Sequence, residues 1–71
     1  MKIVSGKRIR ELVENKGWAF VRTTGSHQIY RTPQHFKDQR TISIPIHGNK
    51  DLKRGTQARL MKQAKIEDSE L

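Results

Sequence analysis

The chain has no cysteine, two prolines, four aromatic residues and no long apolar run. Each shortage excludes something. Without cysteine there is no disulfide, no thiolate zinc site and no cysteine nucleophile. No apolar run approaches the ~20 residues that cross a bilayer. No basic-then-apolar leader opens the sequence, so no secretion signal is expected and a cytoplasmic location is. Acids are scarce: seven Asp and Glu in 71 residues, three of which (Glu67, Asp68, Glu70) fall in the last five. Apolar residues make up 32 % of the chain. That is a thin core, since a domain this small hides only ~60 % of the surface its unfolded chain exposes. No repeat or linker divides the sequence. The expectation is one domain over residues 1–66 and a frayed acidic tail over 67–71.

What is abundant is positive charge. Fifteen Lys and Arg give a formal net charge of +8, and only four acids offset them before residue 67. Such an excess over a whole domain points to a polyanion: nucleic acid, an acidic protein, or both in turn. Charge alone does not separate RNA from DNA. It predicts binding that weakens with salt.

Local signals outline five elements. Ser5 is suited to cap a helix, because its hydroxyl can accept from an amide two or three residues on. Ile9, Leu12 and Val13 follow at helical spacing, and Gly17 suits the left-handed residue past the helix end. The first helix is thus expected over about Gly6 to Lys16. Trp18 to Thr23 and His27 to Thr32 read as two strands joined at Thr24-Gly25-Ser26. A three-residue loop pairs Val21 with Ile29. A two-residue loop at Thr24 and Gly25 pairs Phe20 with Ile29 and Arg22 with His27. The choice decides which face each side chain occupies. Pro33 to Gln39 reads as a loop. In Thr41 to Ile46, Ile42, Ile44 and Ile46 alternate onto one face, and Pro45, which lacks an amide donor, makes this an edge strand. After a polar loop from His47 to Gly55, Thr56 is placed to cap a second helix running to about Lys65. Its apolar side is Leu60, Met61 and Ala64, with Ile66 helping to close it. The order α-β-β-β-α implies an α+β two-layer sandwich: a three-stranded antiparallel sheet, His27 strand in the middle, with two helices on one face.

Among the three histidines, His27 stands out. It follows the Gly25-Ser26 turn, where an accessible ring can sit on a backbone held by the sheet, with Arg22 and Arg31 to either side in sequence. Imidazole exchanges protons near neutral pH. RNA carries its own nucleophile, the 2′-hydroxyl. Cleaving it takes a base for that hydroxyl, an acid for the departing 5′-oxygen and positive charge at the phosphate. Histidine with Arg and Lys can supply these without a metal. A lone strand histidine is more often a plain surface residue, so the residue type alone leaves both readings open. His35 reads as a solvated loop residue. His47 reads either as a phosphate contact or as a surface loop residue. A three-histidine metal site lacks supporting carboxylates. Lys50, Lys53 and Arg54 gather before the second helix, whose N-terminal amides near Gly55-Thr56 can accept a phosphate oxygen. With so thin a core, Trp18 and Phe20 are expected to be buried rather than free to stack on bases.

Read as a string, these pieces resemble a known family. Ser5-Gly6-Lys7 is followed by Gly17-Trp18. Arg22, Gly25-Ser26-His27 and Tyr30-Arg31 mark the hairpin. Pro45-Ile46-His47 is followed by Lys50, Gly55-Thr56 and Lys62-Gln63-Ala64. In order and spacing the series is similar to the HicA (YcfA-like) toxins of bacterial toxin–antitoxin pairs, over residues 1 to about 66. The resemblance implies a fold like a double-stranded-RNA-binding domain. It also implies an mRNA interferase that needs no metal or other cofactor, with activity depending on the histidine of Gly-Ser-His, here His27. RNA contacts are then expected from Arg22, Gly25, Ser26, Arg31, Lys50 and Lys53. The implied partners are mRNA and a HicB-type antitoxin that covers the active site, with DNA reached only through that antitoxin and no membrane involved. Gln57 and Lys65 depart from the family pattern, where an apolar residue and a glycine are common. Gln28 stands where a second histidine is common, and the loop from Thr32 to Arg40 is long.

Two other readings use the same residues. In one, the domain binds RNA without cutting it and His27 is a contact. In the other, the basic face serves mainly an acidic protein partner.

Overall fold

The computed structural model describes residues 1–71. Its elements run α1 (Gly6–Asn15), β1 (Ala19–Thr24), β2 (His27–Arg31), β3 (Thr41–Pro45), α2 (Arg54–Ala64) and a one-turn 3-10 helix, η1 (Asp68–Glu70). Strand order is β1-β2-β3, antiparallel throughout. The expected two-layer α+β sandwich with the His27 strand at its centre is the architecture found. No helix is long and apolar enough to cross a membrane.

The helix α1 starts as its sequence dictates. The Arg8 amide donates to Ser5 Oγ at 3.2 Å, and Ile9, Leu12 and Val13 are buried on one face. Gly6 is required by contact: a side chain there would run into the Pro45 carbonyl. The first turn of α1 therefore lies directly on the end of β3. At the other end Gly17 takes φ +94°, open to glycine at no steric cost.

The hairpin adopts neither expected register. Thr24 faces His27, so the turn is Gly25-Ser26 alone. Gly25 carries the positive φ, +59°, at the first turn position, which suits a two-residue hairpin connection. Pairing continues as Thr23 with Gln28 and Arg22 with Ile29. Val21 then bulges out, and Phe20 faces Tyr30. The bulge resets the register by one residue, which no rule of alternation anticipates.

Phe20 corrects a second expectation. It is 54 % exposed, while Tyr30, opposite it, is 1 % exposed. The two rings meet edge to face with centroids 5.7 Å apart. Both helices pack on β3 and on each other, so β1 lies at the margin of their cover. Trp18 is buried as expected, with Tyr30, Ile42, Ile44, Leu60, Met61, Ala64 and Ile66 in one continuous core.

The helix α2 begins two residues before Thr56. Lys53 is its N-cap and offers no side-chain bond to the exposed amides. Gln57, in the place of a usual apolar residue, is fully buried. Its Oε1 accepts from the Val4 amide at 2.8 Å, and its Nε2 donates to the Lys2 carbonyl at 2.7 Å. The helix closes on Lys65 in the left-handed conformation at φ 56° and ψ 45°.

The acidic tail is docked, not frayed. Lys16 Nζ lies 2.7 Å from Glu70 Oε1, and the Arg8 guanidinium donates to the Glu70 carbonyl at 3.1 Å. Leu71 packs against the core. The bond from Lys16, and secondarily one from the Glu67 amide, holds the Glu70 carboxyl below its ordinary pKa.

Candidate active site

Strand alternation splits β2 between two environments. Gln28 and Tyr30 face the helices. Arg10 of α1 donates to Gln28 Oε1 at 3.4 Å, and the Tyr30 hydroxyl donates to Glu14 Oε2 at 2.5 Å. Burial, and secondarily the bond to Glu14, push the Tyr30 phenol up to about 12. His27, Ile29 and Arg31 therefore face the open side. The register carries Arg22, opposite Ile29, and Pro45, opposite His27, onto that side with them.

His27 is exposed at the turn end of this face. Arg22 is its diagonal neighbour across the β1–β2 ladder, a relation that sets backbones about 7–8 Å apart. It is not directly opposite His27, as one expected register had it. Arg31 lies four residues along β2, about 13 Å away at ~3.3 Å per residue. The sheet thus brings Arg22 close to His27 and sets Arg31 at the far end of the same face.

Lys50 and Lys53 are not on the sheet face. They line an open cleft of about 360 Å³ beside it with Pro45, His47, Asp51, Leu52 and Thr56. The uncapped start of α2 adjoins this cleft, and Thr56, expected as a cap, is one of its walls. The four candidates other than His27 and its turn therefore form two groups that meet at Pro45, which belongs to the cleft and pairs with His27.

The turn joins the groups a second way. The Ile46 amide donates to the Ser26 carbonyl at 2.8 Å. Ser26 Oγ lies 3.4 Å from His47 Nε2. Ser26 thus engages His47 rather than its own neighbour His27. What sets His47 apart from a surface loop residue is a contact across twenty-one positions, which its local sequence does not carry. His35 lies in the loop beyond β2, its ring 5.0 Å from that of Phe36 and at the Arg31 end of the sheet. No three His, Cys, Asp or Glu side chains gather where they would hold a metal ion.

Fold and charge together define a small basic α+β domain that covers one sheet face with helices and leaves a histidine-bearing face open. The chain belongs to the HicA toxin family: the family described as HicA toxin of bacterial toxin-antitoxin matches residues 6–66. It is accordingly a toxin of a toxin–antitoxin system, a class whose members have a cognate antitoxin as partner. None of the curated proteins matches the chain.

Proposed function

We propose that this toxin is an mRNA interferase of a type II pair, a metal-independent endoribonuclease in which His27 moves a proton at the scissile phosphate. The observation that carries the reading is the exposed His27 on the open sheet face, diagonal to Arg22. An imidazole so placed reaches a substrate laid across the sheet, and a guanidinium beside it suits the charge that develops on phosphorus. Arg22 and Arg31 hold backbone phosphates along the face. Lys50 and Lys53 hold them in the cleft, and the Gly25-Ser26 turn admits the strand closely because Gly25 has no side chain and nothing within 4 Å of where one would start. The net charge of +8 supports a polyanionic substrate. A HicB-type antitoxin covering this face would block both groups at once. mRNA as substrate places the protein in the cytoplasm.

Expression of wild type and His27→Ala from a tightly controlled promoter tests this. The expected result is growth arrest and loss of bulk mRNA with wild type alone, relieved when the antitoxin is co-expressed. A folded wild type that leaves growth and mRNA intact overturns the reading and favours a non-catalytic RNA-binding domain.

A further inference from the structure

Cleavage by the RNA's own 2′-hydroxyl moves two protons, and His27 accounts for one. The groups near the turn end of the sheet are few. Arg22, Lys50 and Lys53 are cationic side chains suited to holding phosphate, and Ser26 is a hydroxyl. Tyr30 and Glu14 are bonded to each other on the helix side. His35 lies beyond the opposite end of β2. Two titratable groups are left, His47 and Asp51, both in the cleft.

We propose that His47 is the second proton-transfer group, paired with His27 across the scissile phosphate. The inference rests on the ribonuclease reading and extends it. β3 ends at Pro45, opposite His27, and His47 follows two residues later. The bond from the Ile46 amide to the Ser26 carbonyl clamps this segment to the turn that carries His27. Ser26 Oγ, 3.4 Å from His47 Nε2, engages one ring nitrogen and leaves Nδ1 for substrate. Both histidines are exposed, and the cleft at His47 is lined by the two lysines that would hold the phosphate.

The step balances without a co-reactant. One imidazole, neutral, takes the 2′-hydroxyl proton as the 2′-oxygen forms its bond to phosphorus. The other, protonated, gives its proton to the 5′-oxygen as the phosphorus–oxygen bond to it breaks. The products are a 2′,3′-cyclic phosphate and a 5′-hydroxyl, and proton exchange with solvent resets the pair.

The test is single-turnover cleavage of a short RNA by wild type, His27→Gln, His47→Gln and His47→Asn, with binding measured in parallel. A second substrate carries sulfur in place of the bridging 5′-oxygen at the cut, a leaving group that needs no acid. His47→Gln and His47→Asn are expected to lose cleavage by about 10²–10⁴-fold with RNA affinity within about twofold of wild type. Loss of one histidine, and only one, is expected to be rescued by the sulfur substrate. The pH–rate profile of wild type is expected to be bell-shaped, with one limb missing in each variant. Ser26 engages the His47 ring, and Lys50, Asp51, Lys53 and Thr56 line the cleft with it; all are unchanged in both variants. Cleavage by the His47 variants at near wild-type rates, or a loss explained by affinity alone, overturns the proposal while His27 keeps its role. Rescue of neither histidine variant, or of both, also overturns it. A wild type that leaves RNA intact instead removes the ribonuclease reading beneath it.

Discussion

Gln57 of α2 holds the amide of Val4 at 2.8 Å, tying the segment before α1 to the second helix. The same side chain donates to the Lys2 carbonyl, so a fully buried amide is satisfied by backbone on both sides. Gln57→Leu restores an apolar residue but strands the buried Val4 amide. Leaving such a donor unpaired costs about 1–3 kcal/mol. Urea unfolding of the variant is expected to show that loss; equal or higher stability would mean the apolar gain outweighs the two bonds.

Lys65 bears the opposite kind of departure. It closes α2 at φ 56°, a conformation that costs a residue with a Cβ ~1–2 kcal/mol and glycine little. Its ammonium stands 5.4 Å from the centre of the Phe36 ring, which offsets part of that cost. Lys65→Gly is expected to raise stability by about 1 kcal/mol, and Lys65→Ala, which keeps the strain and loses the cation, to lower it. Thermal unfolding of the two variants checks the ordering.

Tyr30 links the core to pH. Its phenol is raised from 10.0 to about 12 in the folded chain. The folded state therefore favours the neutral form. That contribution is complete below about pH 10 and is lost as pH rises from there through about 12. Tyr30→Phe removes the bond to Glu14, and a loss of ~1–2 kcal/mol is expected at neutral pH. The difference between wild type and variant is expected to shrink above pH 10, read by chemical denaturation across that range.

The basic face makes a prediction about salt. If Arg22 and Arg31 each neutralise a phosphate, alanine at either position is expected to flatten the slope of log affinity against log salt by about 0.7–1. Affinity falls without a change in sequence preference. Substitution of Lys7, on α1, is expected to leave the slope unchanged.

Much of the fold was legible because its signals are local. Ser5, Gly6 and Gly17 bound α1, Pro45 marks an edge strand, and Leu60, Met61 and Ala64 define the buried side of α2. What was not legible depends on contacts distant in sequence. The Gly25-Ser26 turn sets Arg22 and His27 on one face, and the Val21 bulge beyond them sets Phe20 opposite Tyr30; a bulge leaves no mark in a six-residue strand. Phe20 looked like core because composition demanded one, whereas the helices pack on β3. The tail reads as disordered by composition, yet Lys16 and Arg8 hold it. In the site, His27 could be singled out from its turn. His47 could not, since its tie to Ser26 exists only once the hairpin and β3 are joined.

The most direct test of the account is cleavage of a defined RNA by purified wild type and His27→Gln in EDTA, with binding and product ends measured on the same samples. The account predicts that wild type cuts in the chelator and leaves 2′,3′-cyclic phosphate ends. It predicts that His27→Gln binds within about twofold of wild type and cuts at least ~10²-fold more slowly. Cutting by His27→Gln at the wild-type rate would contradict it.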